Sequence, residues 1–81
     1  MGKGMDIAVV YRDEDIAQRV RHFLDREHFK TLHNLEIKVN DGELTLRGEV
    51  GSFYEKQIAL SISQRTPGVQ IFVDEISVST S

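Results

Sequence analysis

The stretch Val39-Asn40-Asp41-Gly42-Glu43-Leu44-Thr45-Leu46-Arg47-Gly48-Glu49-Val50 decides how this chain folds. Apolar and polar residues alternate on both sides of an Asn-Asp-Gly turn. A two-residue period puts one face of each flanking strand on a core, and Gly42 can take the positive φ that a tight turn demands, so the stretch predicts a β-hairpin. Leu35, Ile37 and Val39 form the inward face of its first strand, with Glu36 and Lys38 outward. The second strand turns Leu44, Leu46 and Val50 inward and Glu43, Thr45, Arg47 and Glu49 outward. Gly48 falls on the inward face, where the missing side chain admits a close helix or a bulge.

The hairpin sets the reading on either side. Downstream, Ser52 and Glu55 match a capping box, in which each side chain satisfies the other's backbone donor. A helix follows from about 53 to 65, with Tyr54, Ile58, Ala59 and Ile62 toward the core, and Pro67-Gly68 ends it. A third strand then poses a question of parity. Val69, Ile71 and Val73 share one face; Phe72, Ile76 and Val78 share the other. Both sets cannot meet one core without a bulge. The larger set, Phe72, Ile76 and Val78, is expected inward, which leaves Ile71 and Val73 on the open face.

Upstream, Asp13 reads as a helix N-cap, with Glu14 and Asp15 favoured at the positive end of the helix dipole. Ile16, Val20, Phe23 and Leu24 follow at helical spacing beside Ala17, and Arg26, His28 and Lys30 suit the other end, so the first helix is expected over 14–28. Residues 1–12 form a leader, flexible or added as an edge strand, since Ile7, Val9, Val10 and Tyr11 have strand-like composition. The expected fold is α+β in the order α-β-β-α-β: two helices packed on one face of a three-stranded mixed sheet, in a single domain over 13–80. The hairpin strands are antiparallel. The third strand is parallel to the second where they share a sheet, by a right-handed crossover.

Composition bounds function. The chain has 81 residues, enough for one modest core that buries roughly 60–65% of the unfolded surface. Its net charge of −3 argues against non-specific nucleic-acid binding, which needs a basic surface. The lack of cysteine excludes disulfides and thiolate metal sites. No apolar run approaches the ~18 residues of a membrane span. The apolar run Ile7–Val10 is shorter than a secretory signal requires. The chain as written is therefore expected in the cytoplasm; if it is a mature fragment, it is expected in the periplasm or envelope.

The motifs resemble the BON domain, a small bacterial module. The resemblance runs from about Asp15 to Val78. It rests on Asp15-Ile16 with Val20 and Leu24, then Ile37-x-Val39, then Asp41-Gly42-x-Leu44-Thr45-Leu46-x-Gly48-x-Val50. Ser52, Lys56 and Ala59 follow, and then Pro67-Gly68-Val69-x-x-Phe72-x-Asp74-x-Ile76-x-Val78. The last piece fits the family's Gly-Val-x-x-Val-x-Asn-x-Leu-x-Val spacing, with Phe72 and Asp74 as departures, and it agrees with the inward parity of Phe72. The resemblance implies a non-catalytic module that binds phospholipid surfaces, found in envelope proteins under osmotic stress, in secretion pores and beside mechanosensitive channels. Some members bind potassium. The absence of a signal peptide and of a tandem copy departs from the typical member.

Candidate site residues were weighed against ordinary structural roles. His22, His28 and His33 lack the i, i+4 spacing or cysteine neighbours of zinc sites, so surface and capping roles are expected and no metal or cofactor. Asp13, Glu14 and Asp15 are explained by a helix start. Asp74 has inward parity among apolar neighbours and needs a partner, expected from a backbone N–H at a bulge or helix start; a monovalent-cation role is the alternative. The serines fit caps and exteriors, and neither a Gly-x-Ser-x-Gly elbow nor a phosphate loop is present, so no catalytic residue and no enzyme is expected. Arg19, Arg21, Arg26, Lys30 and Lys38 crowd one stretch of sequence and are the candidate lipid-binding residues; i, i+4 contacts such as Arg21 with Asp25 and His22 with Arg26 are the competing reading. Ile71 and Val73 are the candidate interaction face for a protein partner, for a second copy, or for the leader's Ile7, Val9 and Val10. Gly42, Gly48, Gly68 and Asp74 are expected to serve the fold.

Overall fold

The computed structural model describes residues 11–79. The elements are α1 (Asp13–Asp25), α2 (Lys30–His33), β1 (Glu36–Asn40), β2 (Glu43–Val50), α3 (Phe53–Arg65) and β3 (Ile71–Val78). The sheet order is β1-β2-β3, with β2 antiparallel to β1 and parallel to β3. The expected α+β architecture and α-β-β-α-β order hold, with the one-turn α2 added between α1 and β1.

The hairpin turn has two residues. Asp41 (φ 52°) and Gly42 (φ 81°) both take positive φ, the requirement of a type I′ turn, and Asn40 then faces Glu43. Leu44, Leu46 and Val50 are buried, as their period predicts. The β2–β3 register is continuous from Glu43↔Ile71 to Val50↔Val78, so no bulge is needed. Ile76 is buried, and Phe72 and Val78 pack half-buried against the core. Ile71, on the opposite parity, is 57% exposed. Val69 leaves the Ile71–Val73 set: it precedes β3, is not bound by strand parity, and packs against the core.

The helices close the core through Ile16, Val20 and Leu24 of α1, Leu32 of α2, and Ala59 and Ile62 of α3. Buried Ser63 and Thr66 add no unmet polar groups, because their hydroxyls donate to Ala59 O (3.0 Å) and Ile62 O (2.7 Å).

Several expectations are corrected. α1 stops at Asp25 rather than near 28, because the chain must turn to deliver Leu32 to the core. Phe23 lies at the rim, 39% exposed. Asp13 does not cap its own helix; Arg12 holds that position without a side-chain cap. The Asp13 carboxylate instead accepts the N–H groups of Asp41 (2.8 Å) and Gly42 (3.1 Å) and so pins the hairpin turn. Gly42 O in turn accepts the N–H groups of Gln70 (2.9 Å) and Ile71 (3.3 Å), linking the turn to the start of β3. Gly48 (φ 147°) admits neither a helix nor a bulge. Its space is taken by the Leu35 side chain, whose Cδ2 would lie 2.8 Å from an added Cβ. Ser52 caps α3 as expected, accepting Glu55 N–H at 3.2 Å, but Glu55 returns its carboxylate to Gly51 N–H (2.9 Å) rather than to that of Ser52. Tyr54, expected inward, is 68% exposed, because the first turn of α3 lies beside the α1–α2 connection. Gly68 (φ 94°) packs against Tyr11 and Ile16. The leader's Ile7, Val9 and Val10 lie outside the described residues.

Two substitutions test these contacts. Asp13→Ala is expected to lower unfolding stability by about 1–3 kcal/mol, since it strips two charge-assisted bonds from the turn; a urea-denaturation change within about 0.5 kcal/mol would place the turn's support elsewhere. Gly48→Ala combines positive φ with a clash and is expected to cost about 1–3 kcal/mol by the same measurement.

Candidate functional site

One end of the molecule gathers the α1–α2 connection and the start of α3. Glu55 is the tie between them. Its carboxylate accepts bonds from the Thr31 hydroxyl, from Gly51 N–H at 2.9 Å and from the Ser52 hydroxyl at 3.2 Å. These donors hold its carboxyl below the ordinary glutamate range, Thr31 first and Gly51 next, with burial opposing and Ser52 adding least. Phe29 meets the Tyr54 ring edge-on, 5.9 Å between centroids.

Arg21 fixes the same connection from below. Its guanidinium donates to His33 O (2.8 Å), the last carbonyl of α2, and to Leu35 O (2.6 Å), just before β1, and lies 3.5 Å from Asp25. His33 donates Nε2–H to Glu27 O at 2.7 Å, the only role a carbonyl partner permits. The loop is thus held by three side chains, and it presents Arg26, His28 and Lys30 to solvent. Beside them Phe53 and Tyr54 are each 68% exposed. Two large exposed aromatics at the start of α3 and two exposed cations on the connection packed against it make an amphipathic end, which has no counterpart among the residues expected from the sequence. The available signal was Phe53-Tyr54 at the first two helical positions after a capping serine.

The structure separates the five candidate cations. Arg26 and Lys30 belong to this end. Arg21 is engaged by the His33 and Leu35 carbonyls and by Asp25, with its side chain partly exposed. Lys38 is on the open sheet face with Glu36, Thr45, Arg47 and Glu75. Arg19 lies along α1, 5.9 Å from the Tyr11 ring. Of the predicted i, i+4 contacts, Arg21–Asp25 forms.

The other candidates are accounted for locally. Asp74 accepts Ile76 N–H (2.9 Å), a backbone donor within its own unbulged strand rather than at the expected bulge or helix start, and also meets Lys56 Nζ at 3.1 Å, with its side chain a third exposed rather than buried. His22 lies against Phe23, 5.9 Å between rings. Glu14 meets Arg12 at 3.5 Å on the surface. Among the described residues no three histidine or carboxylate side chains converge as a metal site. No helix of the described residues is long and apolar enough to cross a membrane.

The family model of the BON domain matches residues 12–80. The chain belongs to the BON domain family. That match spans the described fold from the start of α1 through β3, and the family is a non-catalytic one. No curated protein matches the chain. In this BON domain the residues that carried the resemblance serve the scaffold: Gly42 the turn, Gly48 the contact with Leu35, Gly68 the passage into β3, and Lys56 with Asp74 the link between α3 and β3.

The Glu55 tie gives a pH dependence. A carboxylate whose folded pKa is depressed adds stability that is present above its unfolded value and is lost as pH falls through its folded value. Glu55→Gln is therefore expected to be less stable than wild type at neutral pH and to lose part of the acid-side slope. Urea midpoints of both proteins across the acidic range check this; parallel curves would remove Glu55 as the source.

Proposed function

We propose that this BON domain is a peripheral module for anionic phospholipid membranes and that it docks through the end formed by the α1–α2 connection and the start of α3. The observation that carries the reading is the exposure of Phe53 and Tyr54 at the start of α3, where Tyr54 meets Phe29 and Glu55 meets Thr31, on the connection that also carries exposed Arg26 and Lys30. A tyrosine favours the headgroup level, where its ring is half immersed and its hydroxyl stays wet, and an exposed phenylalanine beside it adds apolar area to bury. The cations add attraction of roughly 1 kcal/mol each near an anionic surface. Of the nearby carboxylates, Asp25 faces Arg21 and Glu55 is engaged by three donors, so Glu27 is the main local opposition. The net charge of −3 means that the rest of the surface gives no help, so binding is weak, oriented and sensitive to salt.

A second reading is favoured by Ile71, whose exposure on the open sheet face beside Val73 suits a protein partner or a second copy. Arg19 and Lys38 have no part in the first reading; Lys38 would border the second.

Co-sedimentation with phosphatidylglycerol-containing and with phosphatidylcholine vesicles tests the first reading. Binding is expected only to the anionic vesicles, falling as salt rises. Arg26→Glu with Lys30→Glu is expected to weaken it by about tenfold or more, given two cations reversed. Phe53→Ser with Tyr54→Ser should weaken it at all salt concentrations, and Lys38→Glu should leave it unchanged. Equal loss in Lys38→Glu, or absence of binding to anionic vesicles at low salt, would shift the reading to the Ile71–Val73 face.

A further inference from the structure

A groove runs between α1 and α3 on the flank away from the open sheet face. It is lined by Arg19, Phe23, Ile62, Arg65 and Pro67 and encloses about 330 Å³. Its size is within the range of small-ligand clefts, about 300–1,000 Å³. Phe23 and Pro67 are its accessible apolar contributors, with the buried Ile62 beneath them, and an arginine stands on each helix at its border. Phe23, expected in the core, is instead 39% exposed here.

The two arginines set the chemistry. Neither has a carboxylate partner within ion-pair distance among the described residues. Arg19 stands 5.9 Å from the Tyr11 ring, a cation–π separation that limits its wandering while leaving its guanidinium donors open. Arg65 donates its Nε–H to Ser61 O at 3.3 Å, a bond that does not use its two terminal nitrogens. The nearest acidic residue along α1 is Asp15, one turn before Arg19 and at the mouth of the neighbouring hollow with Gln18 and His22. A cleft with an apolar lining and two forked donors at its border complements a ligand with one planar anionic head and an unbranched apolar tail.

We infer that the α1–α3 groove binds a medium-chain fatty carboxylate, with the tail along Phe23, Ile62 and Pro67 and the carboxylate shared by Arg19 and Arg65. A carboxylate suits paired guanidinium forks better than a neutral head does, because it accepts two parallel N–H bonds from each plane it faces. The inference does not depend on the membrane reading. Arg26, Lys30, Phe53 and Tyr54 take no part in it, and vesicle docking can fail while the groove still binds.

Titration of the full chain with sodium decanoate below its micellar concentration, followed by amide chemical shifts and by calorimetry, tests it. The expected result is saturable one-site binding, with the shifts centred on α1 and the second half of α3. Arg19→Gln with Arg65→Gln is expected to weaken binding by about tenfold or more, as for loss of a charge-assisted hydrogen bond. Arg19→Lys with Arg65→Lys should recover part of it. Decanol should bind more weakly than decanoate. Phe23→Ala removes lining without removing charge and should weaken decanoate while leaving the folded amide spectrum intact. Non-saturating shifts, shifts centred on Phe53 and Tyr54, or equal affinity for decanol and decanoate would overturn the inference. So would unchanged affinity in the arginine variants, a concentration-dependent dimer that closes the groove, or tighter binding of an apolar peptide through its C-terminal carboxylate.

Discussion

β2 is hydrogen-bonded on both sides, so its two-residue period governs which face of β1 and of β3 meets the helices. Leu44, Leu46 and Val50 point to the helices, and the register carries that choice to Val39, Ile37, Phe72 and Val78 through direct cross-strand partners. A slip of one residue in either ladder would turn a row of apolar side chains to water. The chain guards against that slip at both ends of β2. At one end the type I′ turn fixes Asn40 opposite Glu43, and Asp13 and the Gly42 carbonyl clamp the turn to α1 and β3. At the other, Val50 O accepts Ser79 N–H at 2.8 Å, and Gly51 enters the Glu55 cap of α3.

These ties decide which side chains remain available to other molecules. Asp13, Arg21, His33, Glu55 and Asp74 are all polar and all partly accessible, yet each is directed at a backbone group or a side chain of another element. Removing them from consideration turns a surface dense in charge into a small number of free features. Those features are the Phe53–Tyr54 end with Arg26 and Lys30, the α1–α3 groove with Arg19 and Arg65, and the open sheet face with Ile71. Each differs in its balance of apolar area to charge, and that balance sets what each can recognise.

The fold was largely legible in the sequence because its deciding signals are local. Alternation across Asp41-Gly42, the Ser52 cap, the Pro67-Gly68 stop and the larger apolar set of β3 each act within a few residues. What was not legible joins residues far apart in the chain. The Asp13 carboxylate reaches Asp41 across 28 positions, and a helix cap is the more economical reading of an aspartate before Glu14-Asp15 when the turn is out of view. α2 is four residues long and buries one side chain, Leu32, which is too short for a helical period to register. The lipid-binding candidates suffered from the same limit. Five cations close in sequence are spread by the fold over an end, a flank, a half-buried contact with backbone carbonyls and the opposite sheet face. Phe53 and Tyr54 gained their importance only when α3 was seen to start beside Phe29.

Net charge is a weak guide to what such a domain attracts. At physiological ionic strength the Debye length is about 8 Å, so a surface responds to charges within a few side chains of it rather than to the sum over the molecule. The total of −3 is compatible with a cationic end because two of the carboxylates nearest that end, Asp25 and Glu55, already face donors of the fold, which leaves Glu27 as the local opposition. Exposed rings there add an attraction that salt does not screen, whereas the cations add one that it does. The two contributions therefore respond differently to ionic strength. On the proposed reading, rings and cations carried on one end orient the domain on an anionic surface, the rings holding at salt concentrations that screen the cations.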